Sequence, residues 1–427
     1  MKKKIFPLFF CFLLFPLFVQ PLSADIIVIT IDGVVNPVMS EFITKSIDHA
    51  EENQDGLLVI QLDTPGGLDT SMRSIVKKII ASKIPVVVYV APSGARAASA
   101  GVFITLAAHV SAMAPGTNIG AAHPVGVGSQ MDKTMAEKAV NDAAAYIKSL
   151  AEKRNRNAEW AEKAVRDSVS ITEEDALKLK VIDFISPDLK TLLDTVDGMT
   201  VKTADGDYTV KTNGIAVQYK TMGFRHKILD IISNPNVAYL LMLIGFYGIF
   251  FELTSPGSIF PGVIGVLSLI LALYSFQTLP VNYAGLLLIL LAVVLFILEI
   301  KVTSFGLLTI GGIISMTIGS LMLFDSPMPF FRISLSVIIP SVVVTAALFV
   351  ITVSLIVKAH KRRPATGSEG LIGLTGVAKT DILTDGSVFL HGEIWSAWSD
   401  TPIKKGEVIV VEKVEDLKLK VSQKNGE

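Results

Sequence analysis

Val88-Tyr89-Val90-Ala91-Pro92-Ser93-Gly94-Ala95-Arg96-Ala97-Ala98-Ser99-Ala100-Gly101 joins an apolar run to a segment built almost wholly of small residues. The run over 84–90 has the composition of a buried strand, and it breaks at Ala91-Pro92-Ser93-Gly94. A small-residue helix follows, with Ser99 in its first turns. A serine set after a strand and near a helix N-terminus lies where backbone N–H groups and the helix dipole favour negative charge. That suits a nucleophile, and it equally suits an ordinary βα junction.

Outward from this stretch, residues 25–187 alternate strands with helices, the pattern of a layered α/β domain. Strands are expected over 26–31, 56–62, 85–90 and 181–185, and helices over 38–53, 70–82 and 133–154. Thr172-Glu173-Glu174 reads as the capped start of a further short helix. Each strand is a near-continuous run of Val, Ile and Leu, which fits central strands covered on both faces.

Between the second strand and its helix stands Leu62-Asp63-Thr64-Pro65-Gly66-Gly67-Leu68-Asp69. Pro-Gly alone is a common turn. The second glycine is more than a turn requires: Gly66 and Gly67 could bring backbone N–H groups close to a ligand, as an oxyanion hole needs. A serine nucleophile also needs a base. The domain offers His49, His109 and His123, and several lysines. On the helix over 133–154 the apolar stripe runs through Ala136, Val140, Ala143, Ala144, Ile147, Leu150 and Ala151. Lys148 lies at its margin, while Lys133, Lys138 and Lys153 fall farther away. A margin lysine is either a snorkelling surface residue or a base. To serve as base its pKa must fall from about 10.4 to near 7, which takes about 4 kcal/mol of desolvation. Ser-Lys pairs are an established variant of the triad logic.

The first 24 residues carry Lys2-Lys3-Lys4, an apolar core over 5–19 and small residues before Asp25. This is the pattern of a signal peptide (1–24); an uncleaved anchor is the alternative, and either one exports the chain from Asp25 onward. Cys11, the only cysteine, falls in that segment, so the mature chain has no disulfide and no cysteine nucleophile. With 51% hydrophobic and 18% charged residues the chain is too apolar to be wholly soluble. A net charge of −1 gives no sign of nucleic acid as a partner. Residues 188–235 read as a spacer with a hairpin over 200–219 and an amphipathic segment over 224–232. A membrane domain over 236–358 comes next, with apolar runs at 237–251, 259–276, 284–300, 305–324 and 333–357. The last four are long enough to span; the first is marginal and could form a re-entrant hairpin with the second. Either count is odd, which puts the C-terminus in the cytoplasm. Lys358, Lys361, Arg362 and Arg363 agree with that, and Arg225 and Lys227 go against it. Over 364–427 short strands with glycine turns suggest a small barrel, in which Trp395 and Trp398 are either core or a binding face.

Taken together, the motifs Asp63-Thr64-Pro65-Gly66-Gly67-Leu68, Gly94 to Gly101, Ala114-Pro115-Gly116-Thr117-Asn118-Ile119-Gly120-Ala121, Ala145-Tyr146-Ile147-Lys148-Ser149-Leu150-Ala151, Asn234-Pro235-Asn236-Val237-Ala238-Tyr239 and Phe251-Glu252-Leu253-Thr254-Ser255-Pro256-Gly257 resemble the long form of the NfeD family. These are membrane-bound serine proteases, and the resemblance covers nearly the whole mature chain. It implies an exported ClpP/crotonase-like α/β domain, a helical multi-span membrane domain and an all-β, OB-fold-like C-terminal barrel. It also implies Ser99 as nucleophile, Lys148 as general base, and Gly66 and Gly67 as the oxyanion hole. No cofactor and no metal is implied. Substrates or partners would be stomatin- or prohibitin-like membrane proteins, cut in apolar C-terminal segments, with the protein acting as a homodimer or higher oligomer at the lipid membrane. His123 lies near the position of the triad histidine in cytosolic ClpP peptidases and is the alternative base. Lys180 stands at a helix-to-strand corner where this fold often has glycine, and a left-handed corner there would cost about 1 kcal/mol. A scaffold for stomatin-like partners with vestigial activity is the competing function. A crotonase-type acyl-CoA activity does not fit an exported domain.

Overall fold

A computed structural model describes residues 25–126, 132–254, 259–302, 304, 306–360 and 368–424. The signal segment over 1–24, the Pro256-Gly257 turn and the basic cluster Lys361, Arg362 and Arg363 lie outside them. Two compact units are distinguished, Met1–Val293 with Ile314–Val342, and Val294–Ile313 with Val343–Glu427.

The N-terminal region begins β1 (Ile26–Asp32), α1 (Pro37–Glu52), β2 (Leu57–Asp63), α2 (Asp69–Ile80), β3 (Val86–Val90), β4 (Arg96–Ala98), α3 (Ala100–Ala107), β5 (Val110–Met113) and β6 (Asn118–Gly120). It continues with α4 (Lys133–Lys153), α5 (Ala158–Arg166), β7 (Ser170–Thr172), α6 (Glu173–Lys178), β8 (Phe184–Ile185), α7 (Leu189–Val196), β9 (Thr200–Thr203), β10 (Gly206–Thr209), β11 (Val217–Tyr219) and α8 (Phe224–Ile232). Six strands form one parallel sheet in the order β11-β1-β2-β3-β5-β8, and β4-β6-β7 form a small second sheet. The domain has the ClpP/crotonase-like fold.

Both sheet faces are covered, which is why the strands are continuous apolar runs. Ile27, Ile29, Ile31, Leu58, Ile60, Leu62, Val86 and Val88 join the core beneath α1, α2 and α3. The alternate residues Ile26, Val28, Leu57, Val59, Val87 and Tyr89 pack with Leu192 and Val196 of α7 and with Val201 and Val210. Residues 189–219, within the stretch expected as a spacer, thus pack against this sheet. The hairpin ends at Thr209, because Val217–Tyr219 is used elsewhere: β11 pairs with β1 and closes a sheet edge that would otherwise stand open.

The apolar helices are α9 (Pro235–Thr254), α10 (Ile259–Phe276), α11 (Tyr283–Lys301), α12 (Leu307–Met322) and α13 (Leu335–His360). Pro235–Leu253, Ile259–Phe276 and Pro329–Leu355 are long and apolar enough to cross a membrane, whereas Tyr283–Glu299 and Leu307–Met322 are shorter. The first run, expected to be marginal, gains length by starting at Pro235; the third, Tyr283–Lys301, covers the run expected over 284–300, and the fourth, Leu307–Met322, is shorter than the run expected over 305–324. A Cβ on Gly248 would sit 2.4 Å from the Pro261 carbonyl oxygen and one on Gly265 2.8 Å from the Ile249 nitrogen, so α9 and α10 touch backbone to backbone.

The C-terminal strands β12 (Thr375–Ala378), β13 (Gly386–Leu390), β14 (Glu393–Trp398), β15 (Val408–Glu415) and β16 (Lys418–Gln423) close a barrel in the order β12-β13-β14-β16-β15. β15 returns to β12 and β14 runs parallel to β16, the connectivity of an OB-fold. Trp395 packs against the barrel core, and the Lys420 ammonium lies 5.0 Å from the centre of the Trp398 ring.

Candidate active site

The site forms beyond the carboxyl ends of β2 and β3, where parallel sheets place ligands. Thr64, just past β2, is fully buried and pairs with the strand leading to Ser99: its N–H donates to Arg96 O (2.8 Å) and its carbonyl accepts from Ala98 N (3.0 Å). This holds Ser99 immediately ahead of α3, at the N-cap, with φ 51° and ψ −111°. Such a backbone is uncommon for a residue bearing a Cβ and costs about 1–3 kcal/mol, sustained only where the surroundings over-determine it. Here they do. The Ser99 N–H donates to Gly120 O at 3.1 Å, and Gly120 and Gly101 allow close contact, since a Cβ on either would lie 2.2 Å from Val169 O or 2.7 Å from the Thr64 methyl carbon.

Both glycines of the Gly-Gly pair are needed for packing. A Cβ on Gly66 would come within 2.8 Å of the Ser99 Cβ and 3.3 Å of its Oγ, and one on Gly67 within 2.2 Å of Val35 O. Their N–H groups differ. That of Gly66 donates to Thr64 Oγ1 at 3.1 Å, while that of Gly67 has no hydrogen-bond partner among the described residues. The N–H of Ala100, the first residue of α3, is likewise without one. Gly67, Ser99 and Ala100 share a cleft of about 90 Å³ whose walls include Met72, Phe103 and Ala143. Ser99 Oγ itself has no hydrogen-bond partner among the described residues.

Neither expected base lines this cleft. Lys148 is half exposed, 49% by side chain, with Nζ 3.5 Å from Glu162 Oε2 on α5. The neighbours of His123, Ala122, Pro124 and Val125, contribute to the cleft wall, but its own Nδ1 stands 2.8 Å from Val165 O. Of the remaining histidines, His49 is exposed beside Asn53, and His109 is buried with Nδ1 accepting from Val86 N at 3.1 Å. Burial first, then Arg154 and Arg156, pushes the His109 pKa down to about 3. The cleft wall beside Ala143 is fastened by Arg73 of α2, which donates to Asp69 (2.8 Å) and to Asp142 of α4 (2.5 Å) and lies over the Tyr146 ring.

Thr64, Ala100 and Met328 shape the site in addition to the residues expected from the sequence. For Ala100 the signal was present, since the residue after a serine at a helix start carries a free N–H. For Met328 no local signal exists.

The α/β domain, the apolar helices and the small barrel together have the make-up of a membrane protein with an attached α/β domain. The chain belongs to the NfeD family. Its residues 25–193 match the family profile "NfeD1b, N-terminal domain", residues 236–356 "NfeD integral membrane domain", and residues 368–423 "NfeD-like C-terminal, partner-binding domain". It is 36% identical over 410 residues to the membrane-bound protease PH1510 of Pyrococcus horikoshii, covering 93% of each chain. It is 29% identical over 412 residues to membrane protein NfeD1b of Bacillus subtilis, covering 90% of each. Among solved structures, a lysine-to-alanine variant of the 1510-N membrane-bound stomatin-specific protease in complex with a substrate peptide is 37% identical, with TM-score 0.46, covering 49% of this chain and 98% of that one. Likeness to a membrane-bound protease along nearly the whole length supports protease function for this chain.

Proposed function

We propose that this chain is a membrane-anchored serine endopeptidase in which Ser99 attacks the peptide carbonyl and the N–H groups of Gly67 and Ala100 receive the oxyanion. The observation that carries the reading is the strained backbone of Ser99 at the head of α3, with two unused N–H groups in the same cleft. Gly66 serves by making room for the serine, since its own N–H is taken by Thr64. Lys148 is the base by family resemblance; to act it must first give up Glu162, and loss of that pair is part of the proposal. The substrate is an apolar segment of a membrane protein of the stomatin-like class, laid extended beside Gly66-Gly67. The barrel, matched by a profile described as partner-binding, is where that partner docks.

The peptidase domain lies outside the cytoplasmic membrane and the barrel in the cytoplasm. Two contacts bear on which membrane-domain loops face the peptidase domain. The α12–α13 loop reaches the Ser99 cleft through Met328, and Asn282, just before α11, donates from its N–H to Leu323 O at 2.8 Å. The loops after α10 and α12 thus share the side of the peptidase domain.

Cleavage of an apolar stomatin-like C-terminal peptide by the full-length chain in detergent tests the reading. Ser99→Ala should lower kcat/KM at least about 10³-fold, the scale seen when a nucleophile is removed. Lys148→Ala should do the same and His123→Ala should not. Cleavage that survives Ser99→Ala refutes the site. Loss with Lys138→Ala or Lys133→Ala, and not with Lys148→Ala, moves the base to the other end of α4.

A further inference from the structure

We propose that Met328, on the loop between α12 and α13, is a specificity-determining residue of the Ser99 cleft and limits the size of the apolar side chain accepted on the acyl side of the cleaved bond. This rests on the peptidase reading of Ser99. The cleft is an apolar pocket beside a serine, with Met72 from α2, Phe103 from α3 and Ala143 from α4 as walls, and Met328 supplies a further one. It is the wall that comes from the membrane domain.

The loop is a built structure that can hold a side chain in place. Its backbone turns on Ser326, fully buried, whose Oγ accepts from the Met328 N–H at 3.2 Å and whose carbonyl accepts from Arg332 Nε. Phe331, 4% exposed, and Phe330 line a second cavity together with Val34, Asn36 and Met39, around the start of α1. Farther along, the Ser334 N–H donates to Asn236 Oδ1 at 2.8 Å, which fastens the loop to the first turn of α9. Met328 itself is half-buried. An unbranched, polarisable side chain suits a wall that must adapt to several apolar residues. The geometry also has a consequence for substrate choice. A cleft walled partly by a membrane loop receives segments that lie close to the bilayer surface, which matches an apolar membrane-protein tail.

The test uses the full-length chain in detergent and peptides that differ only at the acyl-side residue, Ala, Val, Leu or Phe. Met328→Ala should raise the ratio of kcat/KM for Phe over Ala about tenfold, the scale on which a pocket discriminates by a few methylene groups. Met328→Leu should keep the wild-type ratio, because it conserves volume. In a Ser99→Ala background the same shift in order should appear in peptide binding by fluorescence anisotropy, which needs no turnover. An unchanged ratio in Met328→Ala overturns the proposal, and so does an equal change for every peptide, which would make Met328 a simple obstruction. If binding order shifts but no Ser99-dependent cleavage is found, the cleft assignment stands and the peptidase reading falls. If neither binding nor cleavage is found, both fall.

Discussion

At the scale of single residues, the molecule keeps several groups in states that water alone would not allow, and each has a measurable signature. His109 is held neutral: its pKa is down to about 3, mainly through burial, whereas the unfolded chain titrates near 6.5. Between those values the unfolded state binds the extra proton, so the stabilisation is complete above about pH 6.5 and is lost as pH falls toward 3. The slope is at most about 1.4 kcal/mol per pH unit. Denaturant unfolding from pH 7 to pH 4 should show this limb. His109→Asn, which keeps an acceptor for the Val86 N–H, should flatten it, and an unaltered slope would count against the assignment. Lys180 has φ 58°, the left-handed corner expected from the sequence, with its carbonyl accepting from Asn157 N at 3.0 Å. Lys180→Gly should therefore raise stability by up to about 1 kcal/mol, partly offset by a freer unfolded chain, and a calorimetric Tm should rise.

At the scale of elements, the site depends on α3 being fixed at both ends. Its start is fixed at Ser99, whose N–H donates to Gly120 O at 3.1 Å. Its last carbonyls are gathered by Arg156, 6% exposed, whose Nη1 donates to Thr105 O (3.1 Å), Leu106 O (2.9 Å) and Ala108 O (3.0 Å) while Nη2 pairs with Asp183 at 2.7 Å. A cation there also complements the helix dipole. Arg156→Ala leaves those carbonyls and a carboxylate short of partners and should destabilise by about 3–5 kcal/mol, read from the midpoint of denaturant unfolding. The region after α6 makes a second element-scale demand. Because α7, β9, β10 and β11 cover one sheet face and one sheet edge, a fragment ending at residue 187 should aggregate while one ending at residue 233 folds. Comparable far-ultraviolet spectra and solubility for the two fragments would contradict that placement.

At the scale of the whole molecule, much of the design is legible in the sequence, and the illegible part has a physical cause. Buried strands declare themselves as Val, Ile and Leu runs, and glycines at strand ends mark close approach, so the sheet and the barrel strands could be read directly; the Ser99 junction could be read only in part, since the short strand Arg96–Ala98 stands where helix was expected and Ser99 precedes α3 instead of lying in its first turns. Resemblance added the fold family. The role of residues 188–235 could not be read, because a three-residue pairing such as β11 has no periodicity to find. Nor could the direction of Lys148: the margin of a helical stripe does not say which neighbour lies beyond it, and here that neighbour is Glu162 of α5. Met328 was hidden for a further reason, since only tertiary folding brings the α12–α13 loop to the Ser99 cleft.

All of these scales meet in Ser99. Rapid-quench mass spectrometry of the full-length protein with an activated ester of an apolar peptide tests it most directly. The expected result is an acyl adduct on the proteolytic fragment containing Ser99 that appears and decays at the turnover rate, and is absent from Ser99→Ala. Turnover with no adduct, or with an adduct on another residue, would contradict the assignment of Ser99 as nucleophile.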